Sequence, residues 1–134
     1  MAVDKIPDGV YAKYSFYAMR PHYTVLVYPN GNLECDCIDP RSENRKGDFI
    51  TLAEGDTELV RLIDEIINAG FFDMKNGYYK ANIRDGFNDV LTISKVGKTK
   101  SVSRSNEEGP DNYSEKVGRL RIIIHKHMDE KERE

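Results

Sequence analysis

The stretch HYTVLVYPNGNLECDC, residues 22–37, decides the fold because it predicts a β-hairpin and fixes the alignment of its strands. β-Branched and aromatic residues, which favour strands, precede the segment Pro29–Asn30–Gly31. This segment suits a three-residue loop, in which a type I turn is followed by a glycine with positive φ. A two-residue Asn-Gly turn is the alternative, but it would place Pro29 in the hydrogen-bond ladder, where proline cannot donate. We therefore predict the three-residue loop.

The loop type determines which side chains share a face of the hairpin. The pairs predicted on one face are apolar: Val27 with Leu33, Val25 with Cys35, and Tyr23 with Cys37. The opposite face carries the polar residues His22, Thr24, Glu34 and Asp36, with Leu26 as the exception. We expect this second face to be solvated.

Cys35 and Cys37 raise the question of a metal or redox site, because only one residue separates them. A disulfide between neighbours at i and i+2 of a strand would be strained, since their Cα atoms are about 6.6 Å apart. The histidines do not converge on the cysteines: His22 is predicted on the other face, and His125 and His127 project in different directions from a helix. We therefore predict two buried free thiols that act as small apolar side chains.

Two segments predict amphipathic helices. In DTELVRLIDEIINAG, residues 56–70, the apolar residues fall within an arc of about 160°. Asp56 can cap the start of this helix, and Gly70 can adopt the left-handed conformation after its end. A second helix is predicted near the C-terminus, where Asn112 and Glu115 have the spacing of a capping box. The apolar stripe of the second helix consists of Tyr113, Val117, Leu120, Ile124 and Met128.

Three further segments predict strands: VYAKYSFYAM at 10–19, FITL at 49–52, and VLTISKVGKTKSVSR at 90–104. The last segment is typical of a hairpin that turns near Val96 and Gly97. The expected pairs in this second hairpin are Ile93 with Lys100 and Leu91 with Val102. Because these pairs give it only one modestly apolar face, we expect the hairpin at or near a sheet edge.

The element order ββ(β)αββα predicts an α+β fold. We expect an antiparallel sheet of four to five strands with two helices packed on one face. The other face is expected to be open to water or to a partner. Residues 1–128 are predicted to form a single domain, and residues 129–134 a polar C-terminal tail.

Composition favours a soluble globular protein of the cytoplasm. The 134 residues are 39% hydrophobic and 32% charged, with a net charge of −3. Proteins that bind duplex nucleic acid usually carry a basic surplus, so this balance argues against such a role. No segment predicts a membrane span, and the N-terminus does not resemble a secretory signal. Two cysteines do not make a disulfide framework.

Four segments together resemble a known family: YTVLVYPNGNLECD, LIDEIINAGFFDMKNGYY, VLTISKVGKTKSV and GPDNYSEKVGRLRIIIHKH. Over residues 17–128 the chain looks like a bacterial family of uncharacterised α+β domains. That family has a Tyr-led hairpin, a helix ending in a Gly-Phe-Phe step and a Pro-initiated last helix. Its members often carry paired cysteines before the first long strand, where this chain has AMRPH. The resemblance implies the fold and no activity.

No motif in the sequence identifies a reaction. His125 and His127 are predicted to interact with the dipole of the last helix rather than to catalyse. Asp85, Asn88 and Asp89 are typical of a turn before a strand. We therefore predict no catalytic residue, no metal site and no cofactor, and a small hydrolase is the least favoured function.

Two features predict a non-enzymatic domain that binds a protein or self-associates through its open sheet face. Ile122 points about 180° away from Tyr113, which lies in the apolar stripe of the same helix. The first strand is rich in tyrosine, which is enriched at interfaces, although tyrosine also suits strand positions. The residues predicted at the partner surface are Tyr11, Tyr14, Tyr17 and Ile122.

The alternative partner is single-stranded nucleic acid. Basic residues concentrate on the second hairpin, and exposed aromatic rings nearby would complete the usual combination for binding single strands. The residues concerned are Lys95, Lys98, Lys100 and Arg104. Lysines on an edge hairpin also prevent sheets from aggregating, so a nucleic-acid partner is less favoured than a protein. No membrane partner is predicted.

Overall fold

The first hairpin has the predicted turn and register in the computed structural model, which describes residues 6–17, 22–36, 49–78, 88–95, 97–105 and 109–132. The N–H of Gly31 donates to the carbonyl of Tyr28, and the N–H of Tyr28 donates to the carbonyl of Asn32, each at 2.9 Å. Gly31 has a φ of +91°. Val27 pairs with Leu33 and Val25 with Cys35, which confirms the three-residue loop. The predicted pair of Tyr23 with Cys37 lies outside the described residues.

Seven strands, two α-helices and one short 3-10 helix are formed by the described residues. The strands are β1 (Ala12–Tyr17), β2 (His22–Val27), β3 (Leu33–Cys35), β4 (Ile50–Ala53), β5 (Gly77–Tyr78), β6 (Asn88–Lys95) and β7 (Lys98–Ser105). The helices are α1 (Thr57–Asn68) and α2 (Asp111–Glu132), and the 3-10 helix spans Phe71–Asp73.

The strands form one sheet in the order β4-β3-β2-β1-β6-β7-β5. All neighbours in it are antiparallel except β5 and β7. The α+β class and the two helices are confirmed, whereas the predicted four to five strands are too few. The short strands β3 and β4 lie in segments that the sequence predicts as strands, whereas β5 has only two residues, too few to show an alternating pattern.

The second hairpin also has the predicted register. Ile93 pairs with Lys100, and Leu91 with Val102. The hairpin is close to an edge of the sheet, since only the two-residue strand β5 lies beyond β7.

The helices bury the apolar stripes that the sequence predicts. Leu59, Leu62, Ile63 and Ile66 of α1 are buried, as are Tyr113, Val117, Leu120 and Ile124 of α2. These residues form one hydrophobic cluster with the strand side chains that face the helices. Both helices therefore pack on the same side of the sheet. Neither helix combines the length and the apolar character that a bilayer span requires, among the residues described.

The helix ends agree with the sequence at α1 and differ at α2. Asp56 caps α1, because its Oδ1 accepts from the N–H of Leu59 at 3.0 Å, and Gly70 has a φ of +104°. In contrast, α2 begins at Asp111, one residue before the predicted cap Asn112. It continues to Glu132, so residues 129–132 of the predicted polar tail are helical.

The hairpin turn rests directly against the start of α1. The carbonyl of Gly31 accepts a hydrogen bond from the N–H of Asp56 at 2.9 Å. Asn32 holds the same junction, because its Oδ1 accepts from the N–H of Gly55 at 3.1 Å. A Cβ atom at Gly31 would lie 2.6 Å from the nitrogen of Asp56. Only glycine fits here, since this position combines a positive φ with close contact to another backbone.

Candidate protein-binding surface

The tyrosines predicted to bind a partner have three different environments. Tyr14 is fully buried, and its hydroxyl donates to Oδ2 of Asp89 at 2.7 Å. Tyr11 is partly buried, and its hydroxyl donates to a carboxylate oxygen of Asp64 on α1. Burial, followed by this hydrogen bond, raises the pKa of Tyr11. Tyr17 is 42% exposed at the end of β1. The surface role predicted for Tyr14 is thus corrected, because Tyr14 is a core residue.

The sheet face that points away from the helices is not open along its central strands. Its buried residues include Ser15, Leu26, Thr92 and Ser101. The hydroxyls of Thr92 and Ser101 are hydrogen-bonded at 2.6 Å, and those of Ser15 and Thr24 at 3.1 Å. In β1 and β6 the exposed residues are Tyr17, Asn88 and Lys95, all at strand ends. The predicted open face is therefore corrected along these strands, because Ser15, Thr92 and Ser101 are buried and Lys13 and Thr24 are partly buried.

The basic residues of the second hairpin do not form one surface. The Nζ of Lys95 lies 3.9 Å from Oδ1 of Asp64, and the Nζ of Lys100 donates to Oδ1 of Asn76 at 3.1 Å. Arg104 is fully buried, because the register puts it on the helix-facing side of β7. Of the set Lys95, Lys98, Lys100 and Arg104, the arginine is thus a core residue and cannot contact a nucleic acid as predicted.

Arg104 and Asp89 form a buried ion pair that links β6, β7 and α2. The Nε and one terminal nitrogen of Arg104 donate to the two carboxylate oxygens of Asp89 at 2.8 and 2.9 Å. The other terminal nitrogen donates to the carbonyl of Ser114 at 3.3 Å. Burial favours the neutral guanidine, but the hydrogen bonds to Asp89 and the negative charge of Asp89 outweigh it and raise the pKa of Arg104.

Asp89 and Asn88 are strand residues rather than turn residues, which corrects the expectation for this segment. The third member of the predicted turn, Asp85, lies outside the described residues. Asp89 is only 1% exposed and faces the core, so its carboxylate stabilises the packing of Arg104.

Cys35 is fully buried, as predicted, but it is disulfide-bonded. The prediction of a free thiol is therefore wrong for Cys35, while Cys37 lies outside the described residues. Within the ranges that the structure describes, no three His, Cys, Asp or Glu side chains come together as a possible metal site.

Both described histidine side chains make contacts within the fold. The Nε2 of His125 lies 2.6 Å from the hydroxyl oxygen of Tyr23, and its ring packs edge-on against Phe16. The Nε2 of His127 lies 2.7 Å from Oδ2 of Asp56, the residue that caps α1. The predicted interaction with the helix dipole is thus replaced by side-chain contacts that hold α2 against the sheet and α1.

His125 is expected to titrate below pH 6.5. Burial, and secondly the charge of Arg121, lower the pKa of His125 from 6.5, while Asp129 acts in the opposite direction. An unfolded chain would bind this proton first as the pH falls, so the contribution of His125 to stability decreases below about pH 6.5. NMR titration of the imidazole measures the midpoint. Arg121→Gln should move it upwards, and a wild-type midpoint at or above 6.5 would contradict this environment.

The side of α2 that points away from the core has an exposed apolar residue among charges. Ile122 is 64% exposed, more than the other exposed large hydrophobic residues that the structure describes, Tyr17 and Phe49. We define the α2 outer face as Asp111, Glu115, Gly118, Arg119, Ile122, Lys126 and Asp129. At 100° per residue these seven positions fall within an arc of about 100° opposite the buried stripe.

The charges of the α2 outer face change sign twice along the helix. Asp111 and Glu115 lie in its first turns, Arg119 and Lys126 follow, and Asp129 lies near the C-terminal end. All five side chains are exposed. None of them is in an ion pair with another described residue. They are therefore available to charges on another molecule.

Gly118 lies within the continuous helix α2, and a Cβ at this position would meet no described atom within 4 Å. Glycine within a helix is about 1 kcal/mol less favourable than alanine. Packing against the described residues does not require this glycine, which leaves a shallow place on the α2 outer face beside Ile122.

Of the α2 outer face, only Ile122 is predicted from the sequence as a partner-binding residue. Two signals were present: a single glycine within a long helical segment, and the order of acidic before basic residues four positions apart. Their meaning depends on which side of the helix is buried, and the structure supplies that information.

The chain matches no protein-family model, and neither a curated protein nor a solved structure is similar enough to it to count as a relative. The resemblance to a family of uncharacterised α+β domains therefore stays a prediction.

Proposed function

We propose that this protein acts by binding another protein molecule through the α2 outer face. The observation that carries the proposal is Ile122, whose 64% exposure places a large β-branched side chain in water on an otherwise polar helix side.

The surroundings of Ile122 add the further support. An apolar centre with a polar rim is the usual anatomy of a protein interface. Gly118 offers close approach beside the isoleucine, and Glu115 and Lys126 supply charges of both signs. We therefore place the binding surface on the outer side of α2 and not on the sheet face, whose central residues are buried or partly buried.

Photo-crosslinking tests the location of this surface. A photoreactive amino acid at Lys126, on the α2 outer face, is compared with the same group at Lys98, which is exposed on the second hairpin. Both proteins are irradiated in an extract of the source cells. We expect a discrete protein adduct from position 126 and none of the same mass from position 98.

A second substitution separates specific from accidental adducts. Ile122→Glu introduced into the photoreactive chain itself should abolish the adduct at position 126, because a buried carboxylate weakens such a contact at least tenfold. Equal adducts from positions 126 and 98, or an adduct that survives Ile122→Glu, would refute the proposal.

A further inference from the structure

We infer that the occupant of the α2 outer face is a second copy of this chain, bound with the two α2 helices antiparallel. This inference rests on the proposed function and names its partner. The positions of Glu115 and Lys126, the glycine at position 118 and the size of the surface support it.

The charge order selects both the partner and its direction. Glu115 precedes Lys126 along the face, so an antiparallel copy sets Glu115 against Lys126 of the second copy and Lys126 against Glu115 of the second copy. The same alignment brings Asp129 near Asp111 of the second copy, farther from the axis, and this like-charge contact weakens the association. A parallel copy would set like charges side by side, which is unfavourable. A twofold axis generates each of these contacts twice, because the same surface serves both chains.

The same alignment places Ile122 near Gly118 and Arg119 of the second copy. If residues 115 and 126 face each other, the axis passes between positions 120 and 121, and position 122 faces position 119. The missing side chain at Gly118 then accommodates the isoleucine, which accounts for a glycine that contacts with the described residues do not require.

The length of α2 sets the strength of the association. Its 22 residues span about 33 Å at 1.5 Å per residue. Contact along one such helix falls at the small end of protein interfaces, where complexes are weak and transient. We therefore expect a reversible dimer with a dissociation constant of roughly 10–100 µM.

Sedimentation equilibrium of four purified chains tests the charge pairing. The wild type should dimerise, whereas Glu115→Lys and Lys126→Glu should each weaken the dimer at least tenfold, because each places like charges opposite one another. The combined variant restores opposite charges and should return to within about threefold of the wild type. Single variants that match the wild type, or a combined variant as weak as the singles, would overturn the antiparallel dimer.

Gly118→Ala gives a second test with two readouts of opposite sign. In dilute, monomeric protein the alanine should raise the melting temperature by about 3–5 °C, because it favours the helix and meets no described atom. At high concentration it should weaken dimerisation at least fivefold, since the added methyl group occupies the place of Ile122 of the second copy. Stabilisation with unchanged dimerisation would contradict the role given to Gly118.

The photo-crosslinking experiment distinguishes failure of this inference from failure of the proposed function. An adduct at position 126 with twice the mass of the chain supports the dimer. An adduct with a different protein that Ile122→Glu abolishes refutes the dimer and leaves the proposed function standing. A wild type that sediments as a monomer up to 1 mM refutes the dimer independently of any other partner.

Discussion

Alanine at position 31 is expected to lower the free energy of unfolding by about 2–5 kcal/mol, the sum of left-handed backbone strain and overpacking. The φ of Gly31 is +91°, and an added Cβ would lie 2.6 Å from the nitrogen and 2.8 Å from the carbonyl carbon of Asp56. These atoms belong to backbone that is held by the hydrogen bond from Asp56 to Gly31, so a side-chain movement cannot relieve the clash. Urea denaturation followed by circular dichroism measures the loss.

Gly9→Ala is the matched control for the close contact. Gly9 has a similar φ of +82°, but a Cβ there would meet no described atom within 4 Å. This variant should therefore lose only the strain of a left-handed residue, about 1–2 kcal/mol. Equal losses of unfolding free energy at positions 9 and 31 would contradict this account. They would show that the junction between the hairpin turn and α1 accommodates the added methyl group without loss of stability.

Removal of the Asp89 carboxylate is the second change with a large expected effect. Asp89→Leu leaves the guanidinium of Arg104 buried without its ion-pair partner, and Arg104 is fully buried. Breaking a buried pair in this way destabilises proteins by about 3–5 kcal/mol. The same urea titration should show this loss, with a smaller one of about 1 kcal/mol for Tyr14→Phe, which removes only one hydrogen bond to Asp89.

A double variant separates the cost of an unpaired charge from the net value of the pair. Asp89→Leu combined with Arg104→Met replaces both charges with apolar side chains and leaves no buried charge behind. The double variant should be more stable than Asp89→Leu alone. If the losses of the two single variants simply add, the ion pair is not the reason for either of them.

The register of both hairpins could be predicted because local signals determine it. The Pro29–Asn30–Gly31 loop aligns β2 with β3, and the turn at Gly97 aligns β6 with β7. Extending the second alignment by one more pair on the same face gives Asp89 opposite Arg104. The pairing of Asp89 with Arg104 can thus be predicted from the sequence. Its burial is harder to predict, because charged side chains are rarely buried and Arg104 is therefore expected at the surface.

Other features depend on contacts that no local pattern records. β5 has two residues and exists only through its pairing with β7. The burial of Thr92 and Ser101 follows from what covers that face, since an alternating strand with hydroxyl side chains is typical of a solvated surface. The burial of Tyr14 likewise depends on a distant contact, because its hydroxyl donates to Asp89 in the core. The sequence pattern of β1 does not record this contact, so Tyr14 is predicted at the partner surface.

The α2 outer face was only partly predictable. The direction of Ile122 followed from helical periodicity, and the structure leaves this residue exposed. The environment of Gly118 could not be derived, because a glycine in a helix can equally permit a close contact within the chain.

The most direct measurement of the central claim is the concentration dependence of the amide NMR spectrum, which is practicable for a chain of 15.4 kDa. Dilution from about 1 mM to about 10 µM spans the dissociation constant expected for a weak interface. The account predicts shifts concentrated at positions 111–126 of α2 and absent from the Ile122→Glu variant. Shifts concentrated on β6 and β7, or a spectrum that does not change with concentration, would contradict self-association through the α2 outer face.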